Sequence, residues 1–284
     1  MEEKNFFEPK KSLNVKGRLI DLSKPKVMGI LNITPDSFYS SSRTKSVSEA
    51  LSQAEKFLQE GATFIDIGGY SSRPGATDIS ADEELHRLMP VVEAISKMLP
   101  EAIISIDTFR AKVAEETIYA GAHVVNDISA GDMDAKMFET VARLQVPYII
   151  MHMQGTPQNM QQNPTYQNVT LEVVDYLAKK IAKLRSMKIH DVIIDPGFGF
   201  GKTIAHNYQL LNEMEAFKIF KLPILAGFSR KGMIHKVLRI AAAEALNGTS
   251  VLNTIALQKG AGILRVHDVK EAVECVKLVE MLGT

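Results

Sequence analysis

The chain has 284 residues, a length that accommodates one large domain or two of medium size. Hydrophobic residues make up 45% of it and charged residues 23%, which is typical of a globular chain and excludes disordered and fibrous classes. With 33 basic and 33 acidic side chains the net charge is zero, which argues against a nucleic acid or an anionic membrane as partner.

The compartment is indicated by cysteine content and by the N-terminal residues. A single cysteine, Cys275, precludes a disulfide within the chain. Residues 1–20 contain no secretory hydrophobic segment, and no apolar run approaches the roughly 18 residues of a transmembrane helix. We therefore expect a cytoplasmic protein that does not span a membrane.

Short apolar runs alternate along the chain with longer segments of helical periodicity, as in repeated βα units. Before the first unit, residues 12–23 alternate loosely around a Lys16-Gly17 turn and predict a β-hairpin. Eight runs are predicted as strands: 27–31, 63–67, 103–106, 122–126, 146–151, 192–194, 223–226 and 262–266.

The intervening segments predict helices with one apolar face, which suits an outer ring packed on a barrel. The first ends at Gly61, and Asp82 is a candidate cap for the second. Because no linker, charge block or low-complexity stretch divides the chain, we predict a single (β/α)8 barrel domain over residues 1–284, with the hairpin closing its bottom. A doubly wound open sheet is the alternative, and the strand count favours closure.

Polar side chains follow every predicted strand, at the end where barrels of this kind place their active sites. One such residue alone would more often cap the following helix, but a complete set on one rim indicates a site. The set comprises Asn32, Asp66, Asp107, Asn126, Asp127, His152, Asp195, Ser229, Arg230, Lys231, Arg265 and His267.

Two loops at the same end of the barrel also have the composition of a ligand-binding site, whereas a third segment only superficially resembles one. Residues 32–47 form a long polar connection that resembles a lid, and residues 68–76 combine glycines, hydroxyls and Arg73, which suits phosphate oxygens. The Gly-Lys-Thr at residues 201–203 is not a phosphate-binding P-loop, because Pro196 occupies the position of its first glycine. His152 has no metal-ligand partner at suitable spacing, so a packing role is favoured.

The residue types indicate two charge environments. Inward-facing carboxylates would repel phosphate, so we expect them to accept hydrogen bonds from an N–H-rich ring. The cations, with Mg²⁺ held by Asn32 and by phosphate oxygens, would bind a diphosphate. From the residue types alone, we predict a ligand that has an N–H-rich ring and an anionic group.

Nine motifs, in order between residues 25 and 268, strongly resemble the dihydropteroate synthase family of pterin-binding barrels. They lie at residues 28–38, 66–69, 72–76, 105–108, 126–127, 151–153, 195–200, 228–232 and 265–268. The resemblance implies a transferase of folate biosynthesis that joins 6-hydroxymethyl-7,8-dihydropterin diphosphate to p-aminobenzoate and releases diphosphate and 7,8-dihydropteroate. It also implies Mg²⁺ as cofactor, inhibition by sulfonamides and a homodimer.

Site residues follow from the same resemblance, position by position. It implies that the pterin is bound by Asp107, Asn126, Asp195, Lys231 and Arg265. It implies that the diphosphate is bound by Asn32, Arg73, Arg265 and His267, with Asn32 also the metal ligand. For p-aminobenzoate it implies Phe38, Ser72, Pro74, Phe200, Ser229 and Gly232, and for catalysis Asp36, Asp107, Lys231 and Arg265.

Three positions depart from the common family pattern, namely Tyr70 in place of glutamate, Ser72 in place of threonine and Gly232 in place of serine. Gly232 leaves only a backbone N–H for the p-aminobenzoate carboxylate. Two alternative functions are a methyltetrahydrofolate-binding methyltransferase that serves a corrinoid and an inactive pterin-binding subunit. The methyltransferase would not need the loops at 34–38 and 72–75. An inactive subunit would not need a catalytically suitable residue at every site position, as this chain has.

Overall fold

Eight parallel strands form the centre of the computed structural model, which describes residues 10–33, 43–71 and 78–283. They are β3 (Lys26–Asn32), β4 (Phe64–Gly68), β5 (Ile103–Asp107), β6 (Val124–Asp127), β7 (Tyr148–Met151), β8 (Val192–Asp195), β9 (Leu225–Ala226) and β10 (Ile263–Val266). Their order is β8-β7-β6-β5-β4-β3-β10-β9, and a parallel bridge between Ile194 and Ile224 joins the two outer members. The sheet is therefore a closed (β/α)8 barrel, as predicted, and not an open sheet.

Helices surround the barrel and follow its strands in turn. The described helices are α1 (Arg43–Gln59), α2 (Ala81–Met98), α3 (Ala111–Tyr119), α4 (Met137–Leu144), α5 (Val169–Ser186), α6 (Ile204–Asn212), α7 (Gly232–Leu238), α8 (Leu246–Gln258) and α9 (Val269–Glu280). None of these helices combines the length and the apolar character needed for a membrane span.

Local signals set most helix ends. Gly61 has φ +99 just after α1, the left-handed conformation that glycine adopts at little cost. The expectation for Asp82 is wrong, because Ser80 caps α2 by accepting a hydrogen bond from the Glu83 amide at 3.1 Å. Asp82 lies one residue inside the helix and pairs instead with Lys112 at 2.6 Å.

The predicted hairpin is formed by β1 (Ser12–Val15) and β2 (Arg18–Asp21), antiparallel around Lys16-Gly17. Its apolar side chains Leu13, Val15 and Ile20 are buried in one cluster with residues from the first half of the barrel strands, such as Met28 and Ile263. The hairpin therefore covers the amino end of the barrel and leaves the carboxyl end for the site.

Strands β4 and β10 begin one residue later than predicted, and β6, β7 and β9 begin two residues later. Proline explains the difference at β7 and β9. Strand β7 starts at Tyr148 and β9 at Leu225, each directly or nearly after a proline, Pro147 or Pro223. These prolines accept hydrogen bonds through their carbonyls, from the amides of Val125 and Ile194 respectively, but have no N–H to donate. A search for alternating or continuous apolar residues does not detect that the proline lacks an N–H donor.

Candidate active site

A cavity of about 1050 Å³ lies at the carboxyl ends of the barrel strands. Asn32 from the end of β3, Asp107 from the end of β5 and Arg265 from β10 form one part of its wall. The loops after β8 and β9 form the opposite part, with Phe200, Lys202, Ser229, Lys231 and Gly232. Polar residues separated by more than two hundred positions thus face one space.

Arg265 joins two carboxylates in this wall. Its Nε donates to Asp66 Oδ2 at 2.6 Å, and its Nη2 donates to Asp107 Oδ2 at 2.7 Å. Asn126 Nδ2 donates to the same Asp66 oxygen at 3.0 Å. Asp66 is fully buried, and its second oxygen, Oδ1, has no hydrogen-bond partner among the described residues. The guanidinium therefore fixes the ends of β4 and β5 relative to β10.

Burial and neighbouring charges bring the pKa of Asp107 close to neutral pH. Desolvation raises the pKa of Asp107 to about 7; Arg265 opposes this rise, and Asp66 reinforces it. Burial lowers the pKa of Arg265, but the adjacent Asp66 and Asp107 carboxylates outweigh that effect, so its pKa lies above the ordinary value. Arg265 remains a cation at every physiological pH, whereas Asp107 exchanges a proton close to pH 7.

A second charged pair lies on the opposite side of the cavity. Asp195 Oδ1 accepts a hydrogen bond from the Gly197 amide at 2.7 Å, and burial raises the Asp195 pKa while Lys231 opposes this. Lys231 Nζ donates to the Phe198 carbonyl at 2.6 Å and lies 4.8 Å from the centre of the Phe200 ring. Burial lowers the pKa of Lys231 to about 8, against the effect of Asp195.

The turn between β9 and α7 holds Lys231 in place. Arg230 lies in the left-handed region at φ +56, and its guanidinium forms two hydrogen bonds to Asp268, at 2.9 and 2.8 Å. Ser229 Oγ accepts the His267 amide at 3.2 Å and lies 2.9 Å from His267 Nδ1. These contacts connect the turn to the end of β10. Ser229 and Lys231 therefore lie on either side of Arg230, which Asp268 holds in place.

The start of α7 presents backbone donors to the cavity. Gly232 and Met233 both line it, and in the described part of the chain no acceptor binds their amides, as is usual in the first turn of a helix. A Cβ at Gly232 would have the flexible Lys236 Cε, at 3.5 Å, as its nearest contact. The backbone at this point is therefore accessible to a ligand oxygen.

The comparisons with known proteins agree on one family. A family model described as pterin binding enzyme matches residues 28–267. Dihydropteroate synthase of Haemophilus influenzae is 46% identical over 268 residues, covering 94% of this chain and 97% of the relative. That of Escherichia coli strain K12 is 44% identical over 270 residues, covering 94% and 95%. The chain belongs to the dihydropteroate synthase family of pterin-binding enzymes.

The solved structures in this family include the Yersinia pestis dihydropteroate synthase with a sulfonamide drug. It is 42% identical, has a TM-score of 0.90 and is matched over 96% of this chain and 99% of its own. The barrel with its capping hairpin is therefore the architecture of the family, and the resemblance stated from the motifs is confirmed.

The structure brings most of the predicted site residues of this dihydropteroate synthase family member to one place. Those lining the cavity are Asn32, Asp107, Phe200, Ser229, Lys231, Gly232, Arg265 and His267. Asn126 and Asp195 do not line the cavity; Asn126 bonds to Asp66, which Arg265 also contacts, and Asp195 bonds to the Gly197 amide. Asp36, Phe38, Ser72, Arg73 and Pro74 lie outside the described residues. The individual roles of all these residues remain predictions.

Sequence reasoning missed Lys202, which was weighed only as part of a false P-loop. Its ammonium is buried and lies 2.9 Å from His152 Nδ1. Burial lowers the pKa of Lys202 to about 7 and that of His152 to about 3, so this histidine is neutral. His152 also packs edge-on against Tyr176, with ring centres 5.0 Å apart. The glycines at 197, 199 and 201 were the available signal, because a turn so rich in glycine needs stabilising contacts from a neighbouring side chain.

Proposed function

We propose that the chain condenses 6-hydroxymethyl-7,8-dihydropterin diphosphate with p-aminobenzoate, giving 7,8-dihydropteroate and diphosphate. The observation that carries this proposal is the cavity at the carboxyl end of the barrel, where Asp107, Lys231 and Arg265 meet in a member of the dihydropteroate synthase family. Its two charged walls suit a ligand that combines an N–H-rich ring with an anionic leaving group.

The pterin is expected to lie between Asp107 and Asp195. Asp195 uses one oxygen for the Gly197 amide, and its other oxygen receives no hydrogen bond from a described residue. That oxygen is suited to the exocyclic and ring N–H groups of an aminopyrimidinone. Asn126, whose amide donates to Asp66, is expected to contact the same ring, and Lys231 and Arg265 offer N–H donors to the ring's acceptors. Arg265, with its planar guanidinium, is also suited to stacking on the ring.

The diphosphate is expected at the mouth of the cavity, against Asn32, Arg265 and His267, and with Arg73 from outside the described residues. A Cβ on Gly68 would lie 3.6 Å from Asn32 Oδ1 and 3.8 Å from Asp107 Oδ2, so two hard oxygen donors flank a glycine that leaves space. This donor set fits Mg²⁺, which keeps several waters and binds through one or two protein oxygens together with phosphate oxygens. Bound at Asn32, the ion would supply positive charge to the departing diphosphate.

The p-aminobenzoate subsite is expected at the loops after β8 and β9. The unpaired amides of Gly232 and Met233 are suited to its carboxylate, and the Phe200 ring to its aromatic face. The other residues that the family implies here, Phe38, Ser72 and Pro74, lie outside the described residues. Because a sulfonamide drug is bound in the Yersinia pestis relative, we propose competition between such drugs and p-aminobenzoate in this chain as well.

The bond changes proceed through a pterin cation. The bond between the pterin methylene carbon and the diphosphate oxygen breaks, and its electron pair leaves with the diphosphate. The resulting positive charge is delocalised into the ring, where Asp107 and Asp195 stabilise it. The lone pair of the neutral aniline nitrogen then forms the new C–N bond, and this nitrogen releases a proton. Exclusion of water protects the cation from hydrolysis.

Three further properties belong to the same proposal. The chain acts as one domain over residues 1–284, forms a homodimer and works in the cytoplasm, as the family resemblance and the single cysteine indicate. With balanced charge it has small-molecule substrates as its partners and neither a nucleic acid nor a membrane.

The test is an assay of the purified chain with both substrates and Mg²⁺, measuring 7,8-dihydropteroate and diphosphate. Equal amounts of the two products support the proposal, and removal of Mg²⁺ with a chelator should stop both. Methyl transfer from methyltetrahydrofolate to a corrinoid, or pterin binding without condensation, would contradict it. The variant Lys179→Ala, in an exposed lysine on α5 far from the cavity, is the matched control for substitutions of Lys231.

A further inference from the structure

Lys202 is a buried lysine that hydrogen-bonds to no described carboxylate, and the charge of Asp195 acts on it only through space. Only 3% of the residue is exposed. Its Nζ contacts His152 Nδ1 at 2.9 Å, the Gly197 carbonyl at 2.9 Å, the Phe200 carbonyl at 3.1 Å and the His152 carbonyl at 3.3 Å. All four acceptors are uncharged. Burying an ammonium is unfavourable unless it is hydrogen-bonded, and these four acceptors supply the hydrogen bonds.

The turn at residues 197–201 rests directly on the chain that follows β7. A Cβ at Gly197 would lie 1.9 Å from the His152 carbonyl oxygen, and one at Gly201 would lie 2.4 Å from the Gln154 carbonyl oxygen. Both glycines have positive φ, +76 and +60. The two backbones approach closely, and Lys202 bonds across this junction. Gln161 and Tyr166 also bond across it, donating to the Gly199 and Gly201 carbonyls, but only Lys202 donates to the Phe200 carbonyl among the described side chains.

The two aromatic residues of the turn are held by different means. Phe198 is fully buried and its ring lies 4.5 Å from that of Phe228, so core packing fixes it. Phe200 is only partly buried at the cavity wall, and its carbonyl accepts from Lys202 while its amide donates to the Gly197 carbonyl at 3.2 Å. The hydrogen-bond acceptor of Lys231 is the Phe198 carbonyl, to which Lys202 does not bond.

We propose that Lys202 is a positioning residue for Phe200: its ammonium fixes the Phe200 main chain at the cavity wall and so sets the affinity for the aromatic amine substrate. The pterin diphosphate should depend on this contact much less, since Lys231 donates to the Phe198 carbonyl and Asp195 accepts the Gly197 amide, and neither group hydrogen-bonds to Lys202. The assignment rests on the proposed function for the identity of the two substrates. The placement of the turn itself does not.

The decisive variant is Lys202→Met, which keeps the length of the side chain and removes its donors. We expect KM for p-aminobenzoate to rise about ten-fold, as for the loss of a hydrogen bond from a charged group, while KM for the pterin diphosphate changes by less than about two-fold. The control is Leu13→Ala, in the buried hairpin at the other end of the barrel, which destabilises the fold and should leave both KM values unchanged. Equal changes in both KM values, or none, would overturn the proposal.

A second pair of variants tests the same contact from the other side, in case Lys202→Met fails to fold. His152→Leu removes the Nδ1 acceptor, and His152→Asn places an amide oxygen near the same point. The leucine variant should raise KM for p-aminobenzoate and the asparagine variant should restore it; identical behaviour of the two would refute the role of this contact. Adding Lys202→Met to Phe200→Leu should cause no further rise in KM if Lys202 acts through Phe200.

Amide hydrogen exchange separates this inference from the proposed function. In Lys202→Met or His152→Leu, the amides of Gly199 and Phe200 should exchange about ten-fold faster or more, with the barrel strands unchanged. Unchanged exchange in the turn overturns the positioning role whatever the catalytic result. If exchange rises but the wild-type chain shows no condensation, the turn is held by Lys202 and the proposed function and the substrate assignment fail together.

Discussion

The bridge from Arg265 to Asp66 and Asp107 predicts a specific, pH-dependent loss of stability on substitution. In Arg265→Met, two short hydrogen bonds to carboxylates, at 2.6 and 2.7 Å, are lost, and the fully buried Asp66 is left without a cation beside it. Breaking a buried pair from one side typically costs about 3–5 kcal/mol. For a domain of this size that lowers Tm by roughly 6–20 °C.

The pH dependence follows from Asp107. Its pKa is about 7 in the folded chain against an ordinary 3.8, mainly because it is buried. The native state thus holds a proton that the unfolded chain releases, and stability falls as pH rises from about 4 to 7. Arg265 opposes that rise in pKa, so its removal moves the pKa higher and extends the fall in stability above pH 7.

Thermal unfolding of Arg265→Met and wild type at pH 5 and pH 8 measures this effect. The Tm deficit should be smaller at pH 5, where Asp107 is protonated in both proteins, and larger at pH 8. Arg239→Met, in an exposed arginine that pairs with no described carboxylate, is the control and should change Tm little at either pH. A deficit that is equal at both pH values, or larger at pH 5, would refute the reasoning.

Three other substitutions test the proposed roles. Asp195→Asn should weaken pterin diphosphate binding by about 2 kcal/mol or more, measured by calorimetry, and an unchanged Kd would remove Asp195 from the pterin site. Lys231→Ala should lower kcat at least about ten-fold with normal unfolding. In the wild type, kcat should decline as pH rises through about 8, because Lys231 then loses its proton; a flat profile there contradicts this role. Asn32→Ala should raise the Mg²⁺ concentration for half-maximal diphosphate release by roughly ten-fold, and an unshifted titration would exclude Asn32 as the ligand.

The fold was accessible from the sequence because its main determinants are local and periodic. Continuous apolar runs mark strands buried on both faces, and the glycine at position 61 ends α1 where the pattern predicted. The errors at β7 and β9 are also local, since Pro147 and Pro223 remove ladder donors without altering the apolar pattern.

The site was accessible only in outline. The rule that strand ends share a rim brought Asn32, Asp107 and Arg265 together without any knowledge of side-chain direction. It did not identify Asp66 as the partner of Arg265, because that contact joins residues 199 positions apart. Lys202 was missed for a different reason: three of its four acceptors are main-chain carbonyls, and a carbonyl has no signature in a sequence.

The cations of the cavity differ in the pH range over which they act, and this division bears on the chemistry. Arg265 keeps its charge throughout because the neighbouring carboxylates raise its pKa, whereas burial brings Lys231 to a pKa of about 8. In the proposed reaction, the bound pterin diphosphate therefore meets a permanent charge at Arg265 and a titrating one at Lys231. Above pH 8 the chain should still bind the pterin diphosphate through Arg265 while turnover falls, since only the charge at Lys231 is lost. Binding and turnover that decline together over this range would place the essential charge for both steps on Lys231.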